Sequence, residues 1–348
     1  MSSSSKRAVM TIAALALTLV PLVCPAKEQT QTRIRLATLL PLGSSQYYAL
    51  EEMGQRWKAS TDGALTLIIY PGGQMGGEEE AIRRMRAGEL QAATLSAAGL
   101  SSIDPAVGAI EKIPLLYHSL DEMEYVCSKM QPDLEQRLEK KGFVVLAWSD
   151  AGWIHIFSRQ AYTRPAEFRS ARSRVFVTAS DEKEVEIVNR LGFQAVPLEW
   201  SDVLMSLNRG LVDTVPSTPF YALASQFDLA AKNLLEVKYV PLVGATVMTK
   251  RAWDALTPDQ QDKVRRPAVE AANKIRAQSR AEGQQAIEAM KKRGLQVRPV
   301  PPELEEEWRH FAESVYPRIR GNMVPADAFD KTLGFIAEYR ASSKTGKP

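Results

Sequence analysis

Cysteine is nearly absent: 348 residues contain two, Cys24 and Cys127. If Cys24 departs with an N-terminal leader, Cys127 stands alone, which excludes a structural disulfide and a cysteine-built metal site. Histidine is equally scarce. His118, His155 and His310 lie far apart, and none has zinc-ligand spacing. Neither sign of charge dominates, with 44 Lys and Arg against 41 Asp and Glu scattered along the chain. The resulting net charge of +3 offers no basic field for nucleic acid. Beyond residue 23 no apolar run reaches the ~20 residues of a membrane-spanning helix. Also missing are the Gly-x-Ser-x-Gly elbow, the phosphate-binding P-loop and His-Glu-x-x-His. Gly72-Gly73 and Gly76-Gly77 form a glycine-rich turn without the dinucleotide fingerprint, and the acids Glu78–Glu80 that follow would repel a phosphate. No catalytic residue, metal ligand or cofactor site is expected. The three acids read as a solvated first helical turn.

What is present begins with a targeting segment. Lys6 and Arg7 precede the uncharged, mostly apolar run Ala8–Val23, and Cys24-Pro25-Ala26 follows. This is the pattern of a secretory signal peptide over residues 1–26, cleaved near Ala26, which predicts a periplasmic protein. The rival reading is a lipoprotein site at Cys24, but Val23 and Leu22 suit a lipobox poorly. About 320 residues remain, enough for two domains, with an apolar content of 45% and 24% charged residues, as in ordinary globular chains.

Hydrophobic periodicity then alternates between strand and helix. Arg33–Thr38 reads as a strand. Tyr47, Leu50, Met53 and Trp57 fall at helical spacing, Leu65–Tyr70 is a second strand, Glu78 opens a helix stopped by Gly88, and Ala92–Ser96 is a third strand. This βαβαβ order predicts a parallel sheet covered by helices. A second block repeats the pattern. Its strands are Phe143–Trp148, Trp153–Ser158, Arg172–Val177, Ala195–Leu198 and Val212–Val215, and its helices are Asp181–Leu191 and Asp202–Asn208, the latter capped by Ser201. Val237–Val240 and Gly244–Thr249 lead back, and a long helix runs from Pro258 to about Lys292. The two α/β blocks with a return crossing predict an α/β fold of two lobes with a hinge and a cleft between them. Residues 32–151 with 240–279 form one lobe and 152–239 with 280–300 the other. Residues 301–348 are a helical extension ending in a disordered tail from Ser342.

In open α/β sheets ligands sit beyond the carboxyl ends of the strands. The pocket candidates are therefore the loops Pro41–Tyr47, Ser96–Leu100, Ser149–Trp153 and Ser217–Tyr221. Trp148 and Trp153 flank the polar turn between them and serve either as a ligand platform or as core. Tyr47 and Tyr221 could face either way, and Ser217 and Thr218 either meet a ligand or brace the turn between Pro216 and Pro219.

An ordered series of segments resembles the extracytoplasmic solute receptors of tripartite ATP-independent periplasmic (TRAP) transporters. It comprises Pro71–Glu78, Gly88–Ala93, Phe168–Val175, Leu191-Gly192-Phe193 with Pro197, Asn208–Asp213, Thr249–Trp253 and Leu256-Thr257-Pro258. The resemblance covers about residues 32–300. It implies an α/β fold of the periplasmic-binding-protein type, two lobes joined by hinge strands and a long spanning helix, in a receptor and not an enzyme, which closes on a small ligand, usually an organic acid, and hands it to membrane transport subunits. It also implies an Arg in the strand after Phe168 that pairs with the ligand carboxylate. Here one register puts Arg174 at that position and the other puts Phe176 there. Ser217 replaces an expected Asn, followed by Phe220 and Tyr221, and Trp153-Ile154-His155 stands where some organic-acid receptors carry an Arg. With these polar anchors weakened, an apolar or amphipathic, lipid-like ligand is favoured, with an organic acid held by Arg174 as the alternative. A periplasmic helical-repeat lipoprotein is a further implied partner. A ligand-sensing ectodomain is a weaker reading, since nothing in the chain reads as a signalling segment.

Overall fold

A computed structural model describes residues 31–344, so the leader and Cys24 lie outside the described residues. Nine strands form one mixed sheet. They are β1 (Thr32–Thr38), β2 (Leu65–Tyr70), β3 (Ala92–Ser96), β4 (Phe143–Ser158), β5 (Arg174–Thr178), β6 (Gln194–Leu198), β7 (Thr214–Ser217), β8 (Asn233–Thr249) and β9 (Gln296–Arg298). Their order is β2-β1-β3-β8-β4-β7-β5-β6, with β9 paired to β8. The expected parallel pairing holds at both ends, within β2-β1-β3 and within β7-β5-β6. The centre differs. β4 and β8 are antiparallel to each other, and each is one long strand where periodicity reads two pieces. The polar turn Ser149–Gly152 is an irregularity inside β4: the register shifts between Asp150 and Trp153, opposite Val243 and Pro241 of β8. A continuous strand results because backbone pairing with a neighbour 17 residues long carries the chain across a locally poor strand sequence.

This pair runs through both halves of a two-lobed α/β fold. In the first, β1, the helix Ser45–Ser60 and the helix Pro258–Lys292 enclose a core of Leu36, Leu50, Met53, Trp57 and Val264. Trp57 is fully buried, and its indole N–H donates to the Val264 carbonyl at 3.0 Å. On the opposite face lie the helix Leu120–Lys140 and the C-terminal helix Ala326–Lys344, which contributes Phe329 and Ile336. In the second half Phe157, Phe176, Leu207 and Val215 pack with Met290 from the far end of the long helix. Local signals place the start of that helix well: Thr257 and Gln260 form a reciprocal capping box with Pro258 at the first position, an N-terminal cap worth about 1 kcal/mol.

Three smaller expectations are corrected. β5 starts at Arg174, because Arg172 takes a left-handed conformation with φ of 48°. The helix Val203–Arg209 continues a 3₁₀ turn at Trp200–Asp202 with no side-chain cap, so Ser201 is no cap. Helix continues through Ser342 to Lys344, where a disordered tail is expected; residues 345–348 lie outside the described part.

Candidate functional site

A cavity of about 860 Å³ opens between the two halves of the sheet. The carboxyl ends of the parallel strands supply much of its wall: Thr38 of β1, Ser96 of β3, Thr178 of β5 and Ser217 of β7. Its floor is the β4–β8 pair, including Ser149, Asp150, Gly244 and Thr246, and Val315, Ile319 and Met323 from the C-terminal segment close an apolar end.

Glu78, at the start of its helix, is no solvated acid. Its carboxylate turns inward and accepts from the Ser96 N–H at 2.5 Å and the Ser96 hydroxyl at 2.6 Å. It passes directly over Gly99, where a Cβ would stand 2.3 Å from Glu78 Oε2, so a side chain at residue 99 would displace the acid. Behind it Glu111, only 5% exposed, accepts from the Ala97 N–H at 3.2 Å. Lys112 then reaches from this side to Asp181, which caps the helix Glu182–Arg190 on the other, and the two form an ion pair across the cavity. Glu184 stands one helical turn on. Three aromatic rings, Phe176, Trp200 and Tyr221, line the same cavity. Phe176 and Trp200 meet edge to face with ring centres 4.6 Å apart, and Trp200 meets Tyr221 likewise at 5.1 Å.

Confinement of several carboxyls raises their proton affinity. Burial, and then the negative charge of Glu78, pushes Glu111 up to about 8. Burial followed by Asp181 pushes Glu184 up to about 7, and burial also raises Glu78. The stability consequence follows from linkage. The unfolded Glu111 titrates near its ordinary 4.5, so the stabilisation from its protonated form is complete below that pH and is lost as pH rises through about 8. The ligand-free wild type is expected to lose melting temperature steadily between pH 5 and 9. In Glu111→Gln, whose amide is uncharged throughout, that slope should flatten; calorimetric scans at equal ionic strength read it, and an unchanged slope speaks against this assignment.

Five of the eleven residues singled out from sequence line the cavity: Ser96, Phe176, Ser217, Thr218 and Tyr221. Ser217 and Thr218 also brace their turn, the first donating to the Thr218 carbonyl at 3.2 Å and the second capping Tyr221 N–H at 3.3 Å. Six stand elsewhere. Arg174 is the first residue of β5, roughly 13 Å along the strand from Thr178 at the cleft end, and its side chain is 44% exposed and paired with Asp213 at 3.1 Å. Trp148 is buried in the core with its indole N–H on Glu135 at 2.9 Å. Trp153 packs on the same core beneath Lys238. The His155 ring bonds the Val237 carbonyl at 3.0 Å, and burial lowers its pKa to about 4. Tyr47 donates to Glu51 at 2.8 Å, and Phe220 is half-buried away from the lining. The loop Pro41–Tyr47 contributes nothing; Thr38–Leu40 take its place. Sequence reasoning missed Glu111, Lys112, Glu184 and Trp200. A signal existed for two of them: Glu111-Lys112 is a charged pair inside an otherwise apolar stretch from Val107 to Tyr117.

The sequence profile described as bacterial extracellular solute-binding protein, family 7 (DctP) matches residues 36–322. The chain belongs to this family. Its members are solute-binding receptors rather than enzymes. The protein YiiZ of Salmonella typhimurium is 25% identical over 217 residues, 61% of this chain and 65% of its own length, just under two thirds. Two solved structures share the fold. The TRAP solute-binding protein of Xanthobacter autotrophicus, with bound β-D-galacturonate, superposes with a TM-score of 0.80 at 20% identity, covering 87% of this chain and 99% of its own. The sugar-acid-binding protein of Advenella mimigardefordensis, in complex with galactonate, gives 0.81 at 18% identity, covering 89% and 99%. Membership of this TRAP-type receptor family fits the placement of the cavity between two lobes.

Proposed function

We propose that this chain is the periplasmic receptor of a tripartite carrier and that its cleft takes a small hydroxylated organic acid for delivery to the membrane subunits. One observation carries the ligand class. Lys112, 13% exposed, reaches across the cavity, where its partner Asp181 can be exchanged for a ligand carboxylate. That exchange keeps a buried cation paired, so its electrostatic cost is small compared with desolvating an unpaired acid. The sugar acids bound by the two structural neighbours support the same class. The apolar, lipid-like ligand favoured from sequence gives way for two reasons: neighbours of this fold hold carboxylated sugars, and the middle of the cleft is a band of carboxyl, hydroxyl and ammonium groups. The alternative that an acid is held by Arg174 changes its anchor to Lys112. No relative described here supports the helical-repeat lipoprotein, so membrane subunits remain the proposed partner.

The lobe boundaries also become a proposal. The irregularity at Asp150–Trp153 of β4, facing Pro241–Val243 of β8, supports hinges near residues 151 and 240, with the long helix crossing near residue 279. The test is a thermal-shift panel on the chain from residue 27, with galacturonate, glucuronate, galactonate, succinate and a medium-chain alkyl glycoside. A ligand at a hundredfold its Kd adds about 2.7 kcal/mol, a shift of a few degrees. At least one acid should shift the melting point and the glycoside should not; stabilisation by the glycoside alone contradicts the reading.

A further inference from the structure

The cleft is oddly charged for an acid receptor. Nine lining side chains are carboxylic and three are cationic. Local pairing removes part of the imbalance. Asp150 is held by Arg276 and Arg280, and Glu80 by Arg83 and Arg84. Of the cations, Arg83 is 78% exposed and the Lys183 ammonium is spent on the Asn322 carbonyl. At the centre, Glu78, Glu111, Asp181 and Glu184 therefore share Lys112. A ligand whose only charge is a carboxylate would take that one cation and leave Asp181 among three other acids. Burial already raises Glu78, Glu111 and Glu184 above the ordinary carboxylate range, so the freed Asp181 is the charge left without a cation.

The aromatic lining is complementary to these acids. Trp200 and Tyr221, with Phe176 behind, present aromatic faces and edges to the same space, and the Glu78 charge is felt at the Tyr221 hydroxyl. Carboxylates and aromatic rings lining one space form the chemistry that holds a substituted ammonium. The cavity between the lobes defines the site; the acids and rings define what it prefers.

We propose that the ligand is a zwitterion: an organic acid that also carries a protonated amine, seated between the Glu78–Glu111 carboxyls and the Trp200–Tyr221 rings while its carboxylate pairs with Lys112. The amine restores charge balance when Asp181 is displaced. This rests on the organic-acid reading above and narrows it.

Calorimetric titration with matched pairs tests it at pH 7, each pair differing in one amine: gluconate with 2-amino-2-deoxygluconate, succinate with aspartate, and lactate with alanine. Glucosamine serves as an amine without a carboxylate. The amino member of at least one pair should bind at least tenfold tighter than its partner. In Glu78→Gln the ratio of the two affinities within that pair should fall below about threefold, and Tyr221→Leu should lower it in the same direction. Tighter binding by a hydroxy or unsubstituted acid overturns the zwitterion and leaves the acid reading standing. Binding of glucosamine as tight as that of the amino acids overturns the acid reading. The absence of measurable binding by every amino acid in the panel overturns the inference.

Discussion

Lys112→Met is expected to lower affinity for the receptor's organic-acid ligand by a hundredfold or more, the largest single effect at the site. Truncating one partner of a desolvated, hydrogen-bonded charge pair costs about 2–5 kcal/mol, and every 1.4 kcal/mol is tenfold. Here the loss is compounded, since the substitution also strands Asp181 opposite Glu184 and Glu111. Two further variants separate binding from folding. Asp181→Asn removes the internal competitor for the ammonium, so affinity should hold or rise. Arg174→Ala should change affinity by less than twofold and stability by under about 1 kcal/mol, because its pair with Asp213 is solvent-exposed and lies at the wrong end of β5. Calorimetry on the three variants reads the pattern. Equal losses in Arg174→Ala and Lys112→Met would return the anchor to Arg174.

The second large effect is on stability. Asp150 has a side chain only 2% exposed, and it accepts from Arg276 Nε at 2.9 Å and from Arg280 Nε and Nη2 at 3.0 and 2.9 Å. It stands at the irregularity of β4 opposite Pro241–Val243 of β8, where the hinge is proposed, and both arginines come from the long helix beside it. Asp150→Ala removes the shared counter-charge and leaves two guanidiniums facing each other in a partly buried space. Breaking a buried pair by deleting one member costs about 3–5 kcal/mol. Arg276→Met should cost less, because Arg280 still satisfies Asp150 and also reaches Glu124. Urea unfolding measures both. A loss below 1 kcal/mol in Asp150→Ala would show that this segment is held by the β4–β8 pairing alone.

The elements visible in the amino-acid order were those specified locally. Leu65–Tyr70, Ala92–Ser96 and the Thr257–Gln260 cap with its helix to Lys292 fall where periodicity and capping place them. The long central strands were harder, because Ser149–Gly152 reads as a turn until its pairing partner is known. The same distinction governs the site. Ser96, Ser217 and Tyr221 follow strand ends and were found by topology. Lys112 and Asp181 are 69 positions apart and have meaning only as a pair, and Glu184 and Trp200 gain theirs from what they face. Arg174 drew attention through a motif resemblance, yet the end of the strand it occupies decides what it touches. The ligand expectation failed for the same reason: missing anchors were counted at motif positions, while the cation that remains sits in a segment outside them.

Everything proposed for Lys112 depends on the cleft holding a small carboxylate-bearing solute. Native mass spectrometry of the chain purified without denaturation, followed by denaturing extraction and mass analysis of whatever is released, tests it most directly. The predicted result is one small polar molecule per chain that carries a carboxylate and is absent from Lys112→Met prepared in parallel. Release of a fatty acyl or other lipid species from the wild type, retained in Lys112→Met, would contradict it.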